Sequence, residues 1–171
     1  PLLAFRDYHA TMHEHGELDA RVETEPNQLT FRPYASLPAL HLAHTAETVE
    51  TTGYWYRNFE FQAERERGLD FNEYLFNPCL LRFDLRAQPR TSIIASTERC
   101  DVALVSEYRQ AEIARRSGLL APFAKADELT QALAAAADQY IVKRDDGQTL
   151  IAGYHWFSDW GRDTMIALPG L

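Results

Sequence analysis

Residues 54–61 read Tyr54-Trp-Tyr-Arg-Asn-Phe-Glu-Phe61, a stretch dense in aromatic side chains that largely alternate with polar ones after Tyr56. Successive side chains of a β-strand point to opposite faces, so the pattern predicts a strand with one buried and one polar face. Such a strand needs partners, and the surrounding sequence supplies candidates.

Three further segments carry strand patterns: the apolar run 37–43 after a turn signal, the alternating run 80–85, and the β-branched run 91–95. We interpret residues 68–78 as an irregular connection that ends at Asn77-Pro78. Several short strands separated by turn signals predict an antiparallel β-sandwich over about residues 1–97.

The pattern changes from strand to helix near Cys100. Apolar residues at near-helical spacing predict a helix over 101–117, with Gly118 as its stop and Pro122 just beyond it. We therefore predict a helical linker over about residues 98–126, between two domains.

A second helix is predicted over about residues 128–140, with Asp127 as its N-cap. Its apolar residues share one face: Leu129, Leu133, Ala136 and Tyr140. Asp146-Gly147 then separates two β-prone runs, 141–144 and 149–152, which predicts a β-hairpin.

Composition excludes several classes of protein. The 171 residues include 46% hydrophobic ones and carry a formal net charge of -8, which fits a folded chain and opposes binding to a phosphate backbone. No apolar run approaches the roughly 20 residues of a membrane span. Two cysteines, Cys79 and Cys100, are too few for a disulfide scaffold, so we predict free thiols in a reducing, cytoplasmic location.

The ends of the chain predict a piece of a longer polypeptide. The sequence opens with Pro1 rather than Met, has no basic segment followed by an apolar one, and stops within an apolar stretch.

The segment 154–163 concentrates the candidate functional residues. It holds aromatic residues, carboxylates and a guanidinium within ten positions: Tyr154, Trp156, Phe157, Asp159, Trp160, Arg162 and Asp163. Apolar sugar faces stack on aromatic rings, while charged groups hydrogen-bond hydroxyls, so a carbohydrate pocket needs both kinds of side chain. The alternative is an aromatic core segment in which Arg162 and Asp163 form a structural pair.

Residues 152–171 also resemble the opening of the catalytic domain of bacterial and archaeal glycogen debranching enzymes of the amylo-α-1,6-glucosidase type. Upstream, residues 32–34, 55–60 and 64–71 resemble the N-terminal β-sandwich domain of that family. The resemblance covers nearly the whole chain and joins the two domains in the family's order.

This resemblance implies three parts: the end of the N-terminal β-sandwich domain at 1–97, the linker at 98–126, and the start of an (α/α)6 catalytic barrel at 127–171. It implies hydrolysis of α-1,6-linked glucose at branch points of glycogen or limit dextrin, with inversion and without a metal or other cofactor.

The resemblance also implies roles for single residues. A similar loop in glucoamylases holds the terminal glucose, so Arg162 and Asp163 would grip that glucose while Trp160 and Trp156 wall the pocket. An inverting glycosidase needs two carboxyl groups roughly 6.5–9.5 Å apart. Asp159 and Asp163 are the candidates within the segment, but the family places its acid and base past residue 171, which predicts an inactive isolated chain.

Two other functions remain open: a glucoamylase-like α-glucosidase, and a non-catalytic glucan-binding module.

The histidines His9, His13 and His15 are better interpreted as a surface cluster than as metal ligands. A helix from a larger barrel leaves its apolar stripe exposed, which predicts self-association of this chain or a disordered carboxyl-terminal third.

Overall fold

The computed structural model describes residues 1–7, 10–153 and 158–170. The chain divides into two compact units, Pro1–Ser106 and Glu107–Leu171, which are described separately below.

The first unit contains two antiparallel sheets. Its strands are β1 (Val22–Glu25), β2 (Gln28–Phe31), β3 (Leu40–His44), β4 (Thr48–Glu60), β5 (Asn72–Arg82) and β6 (Ile93–Ser96). One sheet has the order β1-β2-β3-β6, and the other pairs β4 with β5. The amino-terminal half is therefore rich in antiparallel strands, as the alternating sequence predicts.

The β1–β2 hairpin is not among the strands that we predicted. Glu25 pairs with Gln28, so Pro26 and Asn27 make the turn, and Asn27 takes a positive φ of 59°. Asparagine tolerates this left-handed conformation better than most residues do. The turn is thus encoded by a single residue rather than by an obvious Asn-Gly pair.

The prediction of an irregular connection over residues 68–78 is wrong for its second half. Strand β5 begins at Asn72 and runs through Pro78. Pro78 lies opposite a β-bulge, between the pairs Thr51–Cys79 and Tyr54–Asn77. Because the ladder is already interrupted there, the missing proline N–H removes no regular hydrogen bond. In the sequence, the short helix α1 (Gln62–Glu66) lies between β4 and β5.

Side chains from both sheets form the core of the first unit. Leu29 and Leu42 from the four-stranded sheet pack with Cys79 of β5, and Cys79 is fully buried. Nearby, the rings of Phe31 and Phe76 stack with centroids 5.5 Å apart. Each of these aliphatic and aromatic side chains contributes about 1.5–3 kcal/mol of hydrophobic stabilisation on full burial.

A buried ion pair attaches the amino terminus to β5. Glu73 is 1% exposed, and its Oε2 accepts a hydrogen bond of 2.8 Å from Arg6 Nη2. The Met12 backbone N–H also donates to this carboxylate, at 3.2 Å. Leu3 and Phe76 exchange backbone hydrogen bonds of 2.8 and 3.0 Å. A buried carboxylate is tolerated only when it is paired in this way.

The helical half begins with α2 (Val105–Leu120), and α3 (Glu128–Ala137) follows. Asp127 caps α3 as predicted, because its side chain accepts a hydrogen bond of 3.0 Å from the Thr130 backbone N–H. Gly118 does not end α2. Glycine inside a helix costs only about 0.5–1 kcal/mol relative to alanine, so two more residues continue the helix.

Pro122 lies in the 3-10 turn Ala121–Phe123 directly after α2. Proline is tolerated in the first turn of a helical segment, where its missing N–H has no partner to lose.

The predicted hairpin of the second unit is present as β7 (Ile141–Arg144) and β8 (Gly147–Leu150). Arg144 pairs with Gly147, so Asp145 and Asp146 make the two-residue turn, and Asp145 has φ 48°. The turn therefore lies one residue earlier than the Asp-Gly pair suggests. The last helix is α4 (Gly161–Ala167).

Throughout the described part of the chain, every helix is too short or too polar to cross a membrane.

Candidate functional site

Residues 158–160 lead into α4, and together with the first turn of that helix, up to Asp163, they carry most of the candidate residues that the structure describes. Asp159 forms an isolated bridge with Ile151, and the Ala152 N–H donates to the Ser158 carbonyl at 3.4 Å. The start of α4 is thereby held against the strand that precedes it.

Asp159 anchors this connection through its side chain. Its Oδ2 accepts hydrogen bonds from Arg144 and, at 3.2 Å, from the Thr149 hydroxyl. The Arg144 guanidinium, by donating to this carboxylate, lowers the pKa of Asp159. A carboxylate held ionised by a neighbouring cation is poorly suited to donate a proton as a general acid.

Trp160 stands at the N-cap of α4 with extended backbone angles, φ -127° and ψ 125°. Its carbonyl accepts the Thr164 N–H at 2.9 Å, which starts the helix. The indole is 55% exposed. The Trp160 side chain is therefore accessible on the surface and does not belong to the core.

Trp160, Arg162 and Asp163 line one cleft of about 250 Å³, together with Ala152. Arg162 Nε lies 3.7 Å from Asp163 Oδ2, and both side chains are substantially exposed. An exposed ion pair at this distance contributes little to stability, about 0–1 kcal/mol. The two charged groups therefore remain accessible to a ligand that offers hydroxyl groups.

A larger apolar cleft of about 560 Å³ adjoins Asp163. Its walls come from α3, the following turn, β8 and α4: Leu133, Ala136, Tyr140, Leu150 and Ile166 among them. Three of the four residues predicted to share the apolar face of the second helix contribute, whereas Leu129 does not line this cleft.

Sequence reasoning missed the residues that hold the site in place. The sequence pattern predicts Arg144 and Thr149 only as strand residues, yet their side chains hydrogen-bond Asp159. Ala152 lines the cleft without a chemical group that would mark it in a sequence. The one available signal was the cation at the end of β7, close in sequence to an acidic segment.

Trp156, which we predicted as a wall of the pocket, lies outside the described residues, as does His9. The other two histidines of the predicted surface cluster contact aromatic rings: His13 lies 4.8 Å from the Tyr74 ring, and His15 stacks on Tyr34. Within residues 1–7, 10–153 and 158–170, no group of three metal-ligating side chains comes together.

Comparison with known families gives two matches. Residues 1–92, more than half of the chain, match the family described as glycogen debranching enzyme N terminal. Residues 135–171 match the family described as amylo-alpha-1,6-glucosidase. Searches of curated proteins and of solved structures returned no match. The cleft residues Trp160, Arg162 and Asp163 fall within the second matched region.

Proposed function

Since the chain belongs to the glycogen debranching enzyme family, we propose that it supplies the glucose-gripping part of an enzyme that hydrolyses α-1,6 branch points of glycogen or limit dextrin with inversion. The family supports the substrate class, and the shared cleft of Trp160, Arg162 and Asp163 supports the residue roles. A glycoside hydrolase of this kind acts on a branched α-glucan.

The convergence of Trp160, Arg162 and Asp163 on one cleft carries the proposal. Arg162 donates hydrogen bonds to glucose hydroxyls, and Asp163 accepts them, so the pair fixes the terminal sugar from two sides. Trp160 offers its exposed indole to the apolar face of the ring. In this proposal Trp156 completes the wall.

Asp159 serves as a positioning residue in this proposal. Its carboxylate is already engaged by Arg144 and Thr149, which favours an anchoring role over proton transfer. The acid and base of the inverting reaction then come from sequence beyond residue 171, and the isolated chain is inactive.

We further propose that residues 127–171 are the start of an (α/α)6 barrel, after a sandwich domain at 1–97 and a linker at 98–126. The exposed apolar cleft between α3, β8 and α4 supports this division, because further barrel helices would cover it.

The two cysteines, of which Cys79 is buried and free, support a reducing cytoplasmic location.

Glucose release from a branched limit dextrin tests the function. The protein encoded by the whole gene should release glucose. Asp163→Ala should lower kcat/KM roughly 10- to 100-fold, because each charge-assisted hydrogen bond to substrate is worth about 1.5–3 kcal/mol. The matched control is Asp146→Ala, an exposed aspartate of the β7–β8 turn, which should retain activity.

Two results would contradict this proposal. Equal activity of the Asp163→Ala and Asp146→Ala proteins would remove the gripping role. Glucose release by the 171-residue chain alone would place the acid and base inside it and return Asp159 and Asp163 as that pair.

A further inference from the structure

Strand β4 presents two tyrosines on the surface of the first unit. Tyr54 is 62% exposed and Tyr56 is 45% exposed. Trp55, between them, turns the other way, with its ring centroid 5.3 Å from that of Phe76. In the regularly paired part of the strand, alternation therefore places both tyrosine rings on one outer face, about 7 Å apart along the chain. Arg57 follows in an irregular part of the ladder, where this alternation is interrupted.

Two β-bulges bracket this pair. The register between β4 and β5 shifts between Thr51 and Tyr54 and again between Tyr56 and Phe59. Gly53 and Asn58, one in each bulge, have positive φ of 68° and 61°. A β-bulge changes the direction in which nearby side chains point, and bulges are common next to functional sites.

Between the bulges, the backbone is held by regular pairing. Tyr54 lies opposite Asn77, and Tyr56 lies opposite Leu75. The two rings are thus carried by a paired strand rather than by a loop, which lowers the entropy lost when a ligand orders them.

The tyrosines border a cleft of about 410 Å³, here named the tyrosine cleft. It is lined by Glu14, Gly53, Tyr54, Trp55, Tyr56 and Arg57. Arg57 Nε donates to Glu14 Oε2 at 2.9 Å, and this ion pair is exposed to solvent. Exposed aromatic faces beside hydrogen-bonding charged groups are the combination that recognises sugars.

We infer that the tyrosine cleft is a second glucan-binding surface, on which Tyr54 and Tyr56 stack against sugar rings while Arg57 and Glu14 bind hydroxyls. The identity of the polymer, a branched α-glucan, rests on the function proposed above. The acidic net charge of the chain and the carboxylate in the cleft oppose a phosphate polymer as the occupant.

Such a surface holds the protein on its polymeric substrate. A glycogen particle offers many chain ends, so a second contact raises the effective concentration of ends near the reacting site. The contact is expected to affect retention on polymer more than the hydrolysis of a short oligosaccharide.

Native gel electrophoresis in glycogen tests the inference with the 171-residue chain itself. The wild-type chain should be retarded by glycogen. The double variant Tyr54→Ala/Tyr56→Ala should bind roughly tenfold more weakly, because two stacking contacts are lost. Tyr54→Phe/Tyr56→Phe keeps both rings and should bind nearly as well as the wild type.

Tyr108→Ala is the matched control, since Tyr108 is 46% exposed and lies on α2. Its retardation should equal that of the wild type. Circular dichroism of the alanine double variant establishes that the sheets remain folded.

Absence of retardation of the wild type, or equal retardation of the wild type and the alanine double variant, would overturn the inference. Neither result bears on hydrolysis, because glucose release by the whole-gene protein is tested separately through Asp163. If the whole-gene protein released no glucose while the 171-residue chain was still retarded by glycogen, the result would instead count against the proposed reaction.

Discussion

His44, at the end of β3, is a buried histidine with one nitrogen committed. The side chain is 2% exposed, and Nδ1 accepts a hydrogen bond of 3.2 Å from the Ala46 N–H. The neutral ring must then carry its proton on Nε2, which has no partner among the described residues. Burial lowers the pKa of His44, because the charged ring would lose its hydration.

This predicts a pH-dependent stability. Because the folded pKa lies below the unfolded value of about 6.5, the unfolded chain takes up the proton first. The stabilising contribution of the neutral His44 ring to the free energy of unfolding is therefore complete above the unfolded pKa. It is lost as the pH falls from there toward the folded pKa. Urea unfolding between about pH 8 and about pH 5 should show the free energy of unfolding of the wild type falling as the pH falls. The fall should be smaller in His44→Gln.

His13→Gln is the control for this measurement, since His13 is exposed on the surface. An identical pH profile for His44→Gln and the wild type would contradict the assignment.

At the scale of elements, two glycines occupy opposite conformational settings. Gly53 has φ 68° in a bulge of β4, whereas Gly118 lies inside α2, and a Cβ at either position would meet no atom within 4 Å. Sterics with neighbouring atoms therefore do not distinguish the two positions. Backbone conformation does, because alanine favours the helix and is strained at positive φ.

Gly53→Ala should therefore lower the free energy of unfolding by about 1 kcal/mol or more. Gly118→Ala should raise it by about 0.5–1 kcal/mol. Guanidinium unfolding of both variants beside the wild type measures the two signs. Stabilisation by Gly53→Ala would show that the bulge does not require a left-handed residue.

At the scale of the whole molecule, the two units differ in how well they bury apolar surface. Most buried hydrophobic residues belong to Pro1–Ser106, and in the described part of Glu107–Leu171 Leu150 is the one apolar side chain that is buried. Leu133 and Ile166, on the apolar cleft, remain 61% and 73% exposed. Exposed apolar surface of this kind favours association.

We accordingly predict concentration-dependent self-association of the 171-residue chain. Sedimentation velocity should show larger species as concentration rises, and Leu133→Glu/Ile166→Glu should shift the chain toward monomer because charges oppose burial of the cleft. The control Leu85→Glu changes an exposed leucine of the first unit and should leave association unchanged. A wild type that stays monomeric at all concentrations would contradict the prediction.

Local sequence rules determined much of this protein: the alternation that makes β4, the Asp127 cap of α3, the β7–β8 hairpin, and the cluster of charged and aromatic residues before α4. These features depend on neighbours a few positions apart, which a sequence displays directly.

Tertiary structure alone decided the rest. Pro78 enters a strand because a bulge on β4 lies opposite it, and Glu73 is buried because Arg6, 67 residues away, neutralises it. Likewise, Asp159 became an anchor only through Arg144 and Thr149. Such roles follow from which strands and side chains meet across long separations, and packing rather than local propensity chooses those partners.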